Sequence, residues 1–251
     1  PRNVVSMLAA GARDIGFAGA DWVAEEGAEL VELLDTGFDP VRLVIAGLPG
    51  NVLGASRPEG GPLKADLPEG RPLVVATEYV ALAESWIRDQ VVDGKPLDAR
   101  VLRTHGATEV FPPEDADLIL DNTATGATLR ASGLQVVDEV MRSTTRLYAQ
   151  PKALEDRALR TRIEDLVTSL RAVRVARQRG MLERNVSPER LDVVVEALPC
   201  MRQPTVSQLH GEAGYALRAA VPREVLADLL PRLKALGGTD LVVTPVGMLV
   251  P

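Results

Sequence analysis

The sequence predicts an α/β core followed by a small α+β module of the ferredoxin-like βαββαβ type, and three observations carry that prediction. Short apolar runs of strand length alternate with helical stretches through the first part of the chain. Leu159, Ile163, Leu166, Leu170 and Val173 then recur at intervals of 4, 3, 4 and 3, one stripe of a helix. The tail repeats strand and helix signals in β-α-β-β-α-β order.

In the core, residues 15–18 read as a strand and 21–26 as a helix. Residues 41–46 form the next strand, and 51–72, rich in Gly and Pro, read as a loop. A buried strand at 73–76 precedes a helix at 79–90, and a strand at 117–120 leads into a helix opening at Gly126. Alternation of this kind favours a mostly parallel sheet. The helix over 151–178 packs on a core or on a partner subunit, with Gly180 as its C-cap. In the tail, 181–186 is a strand, and Ser187 caps a helix that has Pro188 at its first position and runs to Leu198. Strands at 206–209 and 215–221 flank a turn at Gly211 and Gly214. A helix from Pro222 to Gly237, kinked at Pro231, and a strand at 241–244 complete the module.

Composition narrows the function. With 35 acidic against 28 basic residues the net charge is -7, which argues against general nucleic-acid binding. A single cysteine, Cys200, excludes an intrachain disulfide and a cysteine-built metal site, and only His105 and His210 are available for histidine ligation. No apolar run reaches the ~18–20 residues of a membrane span, and residues 1–14 lack a signal-peptide pattern, so no membrane is expected and the cytoplasm is the expected compartment.

The informative stretch is Asp121-Asn122-Thr123-Ala124-Thr125-Gly126-Ala127-Thr128-Leu129, between an apolar strand and a helix start. Thr125 and Thr128 offer hydroxyls, Gly126 lets backbone approach a ligand, and N–H groups at a helix start attract anions. This is the composition of a cradle for one phosphate, with Asp121 placed to accept hydrogen bonds from sugar hydroxyls. The same spacing also fits a plain strand–turn–helix junction with threonine caps.

Here the chain resembles the long form of the ATP phosphoribosyltransferase family. The family's phosphate loop is similar to Thr125-Gly126-Ala127-Thr128-Leu129 followed by Gly133-Leu134. Gly11-Ala12-Arg13-Asp14-Ile15-Gly16-Phe17-Ala18-Gly19 looks like an early family segment, and Thr77-Glu78-Tyr79 and Gly106-Ala107-Thr108-Glu109-Val110 match further stations. Gln203-Pro204-Thr205-Val206 and Leu233-Lys234-Ala235-Leu236-Gly237 resemble its regulatory domain.

The resemblance implies a bilobal core like that of periplasmic binding proteins. Its expected divisions are one lobe from 1–71 and 139–150, a second from 72–138 with the phosphate loop, a connecting helix over 151–180 and a histidine-sensing domain over 181–251. It implies transfer of the phosphoribosyl group of phosphoribosyl pyrophosphate to N1 of ATP, with Mg2+ on the leaving pyrophosphate through protein ligands it does not specify, and feedback inhibition by histidine. Asp121 and Glu109 are then the expected catalytic residues, and Asp121, Ala124, Thr125, Gly126, Ala127, Thr128 and Leu129 the donor site. Asp14, Gly16, Gly19, Arg42 and Tyr79 are expected near ATP, and Asn185, Gln203, Pro204, Thr205 and Gly238 near histidine. A homo-oligomer, a dimer assembling to a hexamer, is implied as well.

The chain departs from the family pattern at its front. The family carries a strand, a basic loop and a helix ahead of the segment matched by Pro1-Arg2-Asn3, and aspartate where Asn3 stands. The expectation is that this chain alone turns over weakly. The rival readings are a bilobal solute-binding protein and a non-catalytic amino-acid sensor.

Overall fold

The chain enters as helix α1 (Arg2–Ala9), whose Val5 and Leu8 are buried with Ala18 and Tyr148. In this computed structural model residues 2–49, 68, 70–92, 94–200, 203–212, 214–237 and 239–250 are described. Of the expected loop at 51–72, only Pro68 and residues 70–72 fall among them. The chain divides into two units, Pro1–Arg160 and Thr161–Pro251.

In the first unit α1 is followed by β1 (Ile15–Gly19), α2 (Ala20–Glu25) and β2 (Val31–Gly47). Next come β3 (Leu73–Thr77), α3 (Val80–Arg88) and a two-stranded flap of β4 (Val91–Val92) and β5 (Lys95–Pro96). Then follow β6 (Ala99–Arg103), β7 (Leu118–Thr123), α4 (Ala127–Ala131) and β8 (Gln135–Ala149). All of β3 is buried, which is why Leu-Val-Val-Ala-Thr shows no polar alternation.

The sheet order is β1-β8-β2-β7-β3-β6. Only β3 pairs in parallel, with β6 and β7; β1–β8, β2–β8 and β2–β7 are antiparallel. The expectation of a mostly parallel sheet is therefore corrected to a mixed one. The cause is the ribbon of β2 and β8, two long strands paired from Val31↔Ala149 to Gly47↔Gln135. One end of the ribbon carries β1 against residues 145–149, and the other carries β7, β3 and β6. The core thus has two halves sharing two continuous strands.

The front of β2 is hidden in the sequence because Thr36-Gly37-Phe38-Asp39-Pro40 reads as a turn. Gly37 and Asp39 do adopt positive φ (69° and 49°), but the strand absorbs them as bulges between the pairs Asp35↔Arg146, Phe38↔Thr145 and Val41↔Ser143. The Asp35 carboxylate accepts the Gly37 N–H at 2.8 Å and the Thr36 hydroxyl accepts the Phe38 N–H at 3.1 Å, replacing the lost ladder bonds.

The second unit takes most of α5 (Arg157–Arg177). Of the expected stripe, Ile163 is buried, Leu159, Leu170 and Val173 are half-buried, and Leu166 is 40% exposed; Ala172 and Ala176 are the other buried positions. Gly180 is not the helix C-cap. It lies inside β9 (Arg179–Val186), where a Cβ would come within 2.9 Å of Val243 Cγ1, so its missing side chain serves strand packing. Ser187 has the extended backbone of an N-cap but makes no capping bond through its side chain; a 3-10 turn over Pro188–Arg190 leads instead into α6 (Leu191–Ala197).

Strands β10 (Thr205–Gln208) and β11 (Tyr215–Pro222), helix α7 (Leu226–Ala235) and strand β12 (Thr239–Pro245) complete the unit. Pro231 sits inside α7, where its missing N–H leaves the Ala227 carbonyl without its helical donor. The sheet order β10-β11-β9-β12, antiparallel throughout, is the ferredoxin-like arrangement expected. Leu182, Val186, Val194, Leu217, Val221 and Leu233 form its core.

Candidate active site

Parallel pairing of β6, β3 and β7 sets their carboxyl ends side by side, with Thr77 in register with both Arg103 and Leu120. Open α/β sheets hold ligands at such an edge. Glu78 follows β3, Asp121 lies in β7, and Glu109 sits in a 3-10 turn, Thr108–Val110, beyond β6. Burial pushes the Asp121 carboxyl up to about 6; the Asn122 N–H opposes the rise, and the negative charges of Glu109 and Glu78 add to it. The structure thus brings the two residues expected to be catalytic within each other's field, and adds Glu78. Among the described residues no group of three His, Cys, Asp or Glu side chains is placed to hold a metal ion.

The loop after β7 is held by its own side chains. The Thr123 hydroxyl accepts the Gly126 N–H at 2.9 Å, and the Thr125 hydroxyl lies at 3.4 Å from the Ala127 nitrogen. Gly126 adopts φ +73°, so glycine is required by conformation; a Cβ there would only displace the flexible end of Arg130, whose Nη1 lies 2.9 Å away. Arg130 turns back along α4 and donates to the Thr125 carbonyl at 2.9 Å. Ala124, Thr125, Ala127 and Thr128 are exposed, while Leu129 is buried with Ile119 and Leu134 and anchors the helix. Sequence reasoning passed over Thr123 and Arg130. The threonine three residues ahead of a glycine was the legible signal for the first, and an arginine one turn past that glycine for the second.

Behind this edge lies a buried polar chain. Ser143 on β8 donates to Asp21 Oδ1 at 2.7 Å and accepts the Asp21 N–H at 3.1 Å. The Tyr79 hydroxyl donates to Asp21 Oδ2 at 2.7 Å and accepts from Asn122 Nδ2 at 2.9 Å. Burial, and then the bond to Asp21, hold the Tyr79 phenol well above its usual range, so it stays neutral. Its ring lies 4.6 Å from that of Trp22. The Thr77 hydroxyl donates to the Leu120 carbonyl at 2.7 Å and accepts the Tyr79 N–H at 2.8 Å, tying the ends of β3 and β7 together.

One turn along α2, the Glu25 carboxylate accepts the Ala81 and Leu82 N–H groups at 3.1 and 3.0 Å, satisfying orphan donors at the start of α3. Glu25→Ala is expected to cost about 1–2 kcal/mol, the value of a lost helix cap, measured by chemical denaturation. An unchanged midpoint would remove the cap from the account.

The residues expected near ATP separate. Asp14 is exposed, and its carbonyl accepts the Gln150 N–H at 2.9 Å. A Cβ at Gly16 would lie 2.7 Å from Val4 Cγ1, so this glycine lets α1 approach β1. Gly19 leaves room for the Asp21 carboxylate. Arg42 is paired with Glu139 at 3.3 Å, and Glu139 also takes Arg142 at 2.7 Å. Tyr79 alone of this set meets the Asp121 edge, through Asn122. In the second unit Asn185 donates to Asp240 at 3.1 Å, Gln203 and Thr205 are exposed and Pro204 is half-buried; Gly238 lies outside the described residues.

An α/β core with a carboxylate-bearing strand edge, followed in the chain by a ferredoxin-like module, defines a two-domain protein with a candidate small-molecule site at that edge. Residues 1–172 match the ATP phosphoribosyltransferase family, and residues 176–247 match the family's C-terminal domain. Curated ATP phosphoribosyltransferases are similar over nearly the whole chain. That of Natronomonas pharaonis is 36% identical over 99% of this chain and 82% of its own length. That of Pelotomaculum thermopropionicum is 34% identical over 96% and 80%. Among solved structures, an ATP phosphoribosyl transferase (HisG:HisZ) complex from Thermotoga maritima aligns with a TM-score of 0.52 and 24% identity, covering 66% of this chain and 76% of that one, and supports the fold. The chain belongs to the ATP phosphoribosyltransferase family, whose reaction of ATP with phosphoribosyl pyrophosphate opens histidine biosynthesis.

Proposed function

We propose that the donor, phosphoribosyl pyrophosphate, is held at the Asp121 edge. In this reading Ala124, Thr125, Gly126, Ala127, Thr128 and Leu129 receive its 5-phosphate and Asp121 accepts hydrogen bonds from the ribose hydroxyls. The supporting observation is the order of parts: a half-buried carboxylate at the end of β7, then a glycine loop braced by Thr123 and overlaid by the Arg130 guanidinium. A first-turn helix backbone and a guanidinium are both suited to phosphate oxygens. Adenine N1 donates its electron pair to ribose C1 as the C1–O bond breaks and pyrophosphate carries that pair away. The protein's task is to align N1 with C1 and to meet the developing anionic charge.

Glu109 and Asp121 are the proposed residues that would hold Mg2+, which would supply positive charge for the leaving pyrophosphate. Isolated carboxylates suit this ion, which keeps water and phosphate oxygens as most of its shell. Asp14 and Arg42 are proposed on the ATP side, with Gly16 and Gly19 shaping the β1 backbone behind it by admitting α1 and the Asp21 carboxylate; Tyr79, 1% exposed, supports the site from behind without touching substrate. The proposed division is one lobe from 1–71 with 139–150, a second over 72–138, a connecting helix over 151–180 and a regulatory domain over 181–251. In that domain Asn185, Gln203, Pro204, Thr205 and Gly238 are proposed to bind histidine, whose inhibition requires unequal affinity for two states of the assembly. A homo-oligomer and a cytoplasmic location complete the reading; no described helix is long and apolar enough to cross a membrane.

The test is a titration with phosphoribosyl pyrophosphate. Thr125→Ala with Thr128→Ala is expected to weaken donor binding about 10-fold, the worth of ~1.4 kcal/mol of hydrogen bonding, with ATP binding and circular dichroism unchanged. Parental donor affinity in the double variant removes the cradle from the assignment.

A further inference from the structure

We propose that Tyr79 is a positioning residue for the donor site, acting through its buried hydroxyl on Asn122 and thereby on Asp121; this rests on the reading of Asp121 given above. Its hydroxyl has one proton, and that proton is committed to Asp21 Oδ2 at 2.7 Å. One lone pair accepts from Asn122 at 2.9 Å, and the residue is 1% exposed. Tyr79 therefore meets substrate through other residues.

The chain of bonds has a fixed end and a working end. Asp21 is fixed by Ser143 through both its carboxylate and its N–H, and Ser143 is buried in the β2–β8 ribbon. The absent side chain of Gly19 leaves the space that the Asp21 carboxylate fills. At the working end, the Asn122 N–H donates to Asp121 Oδ1 at 2.7 Å, so the rotation of residue 122 and the orientation of the Asp121 carboxylate are set together. Register explains why these groups meet: Thr77 pairs with Leu120, so Tyr79 and Asn122 each lie two residues past a matched pair on neighbouring parallel strands. Neighbouring side chains in a strand leave on opposite faces, so a bond that pins Asn122 on one face steadies Asp121 on the other.

Tyr79→Phe keeps the ring against Trp22 and deletes only the hydroxyl. The expected result is a kcat about 10-fold lower and a KM for phosphoribosyl pyrophosphate about 3-fold higher, with the KM for ATP within 2-fold of the parent and the near-ultraviolet dichroism retained. Asn122→Ala is expected to reproduce this profile. The two changes combined should cost little more than Tyr79→Phe alone, because the one bond that Asn122→Ala removes is already broken there. Multiplying effects, or a Tyr79→Phe enzyme with parental kcat and KM, overturns the positioning role; so does an equal loss for both substrates, which a merely structural lesion produces. Asp121→Asn measured alongside separates the two ideas. Parental turnover there removes the reading of the site, whereas a disabled Asp121→Asn beside a parental Tyr79→Phe removes only the role of Tyr79.

Discussion

Asp121→Asn is expected to lower pyrophosphate release by about 100-fold or more, the scale of losing a group that meets charge in the transition state, and yet to melt at a higher temperature than the parent above pH 7. Both effects have one cause. Burial and the charges of Glu109 and Glu78 raise the Asp121 carboxyl to about 6, against an ordinary value near 3.9 in an unfolded chain. Below about pH 4 the group is protonated in both states and contributes nothing. Between about 4 and 6 the unfolded chain ionises first while the folded protein holds its proton, so stability falls as pH rises. Above about 6 the folded form carries the charge too, and the cost is fully present.

Asparagine is isosteric and uncharged, so it removes that cost where it exists. The expected gain is on the order of 2 kcal/mol at pH 7–8, with part of the full shift given up to solvent at this half-buried position, and none at pH 4. The groups facing Asp121 in this balance are Glu109, Glu78 and the neutral Tyr79, whose own ionisation lies far above the window. Thermal melts of both proteins from pH 4 to 8 provide the check. A variant less stable than the parent at every pH would mean that Asp121 holds the fold together rather than being held in tension by it.

In the second unit, Arg184→Met is expected to stabilise the ferredoxin-like module by about 1–4 kcal/mol. Arg184 is 2% exposed on the helix-facing side of β9, in line with Leu182 and Val186. Its Nη1 reaches the Leu233 carbonyl at a long 3.4 Å, while among the described residues Nε and Nη2 find no hydrogen-bond partner. Burial holds its pKa below the usual arginine value, the direction expected of a cation deprived of water. Methionine keeps the aliphatic stem that packs among the leucines and discards the buried guanidinium. Cys200 gives a local readout, because it is the single cysteine of the chain and packs against this same core. Its labelling by a thiol reagent should slow in the Met variant if opening of the unit becomes rarer. Faster labelling would show that Arg184 contributes a bond the module needs.

The two parts of this chain were legible to different degrees. The ferredoxin-like module could be read almost element by element, because each strand and helix carries its own local signal and the split βαβ order admits few arrangements. Its errors were local. Gly180 read as a helix stop because glycine commonly ends helices, whereas here it makes room for Val243 across the sheet. Ser187 read as a side-chain cap because of Pro188, and it supplies only the backbone turn.

In the core, β2 was shortened and β8 missed altogether. Gln135–Ala149 mixes charged, polar and apolar residues without a strand's period of two, and its pairing along β2 makes it one strand. Missing that ribbon turned a mixed sheet into an expected parallel one. The site divided in the same way. The loop from Asp121 to Leu129 announced itself because its residue types are contiguous. Asp21 and Ser143 did not, since they lie 122 residues apart and no short window contains both.

The sequence by itself determined the order of elements in the tail module and the stretch around which the donor site is built, because those follow from periodicity and from turn and cap chemistry within a few neighbouring residues. The tertiary structure alone decided which strands run antiparallel and that a serine, an aspartate, a tyrosine and an asparagine from distant segments share one line of hydrogen bonds. Strand register and side-chain satisfaction are settled by partners far away along the chain, and the free energy of those pairings exists only once the chain has folded.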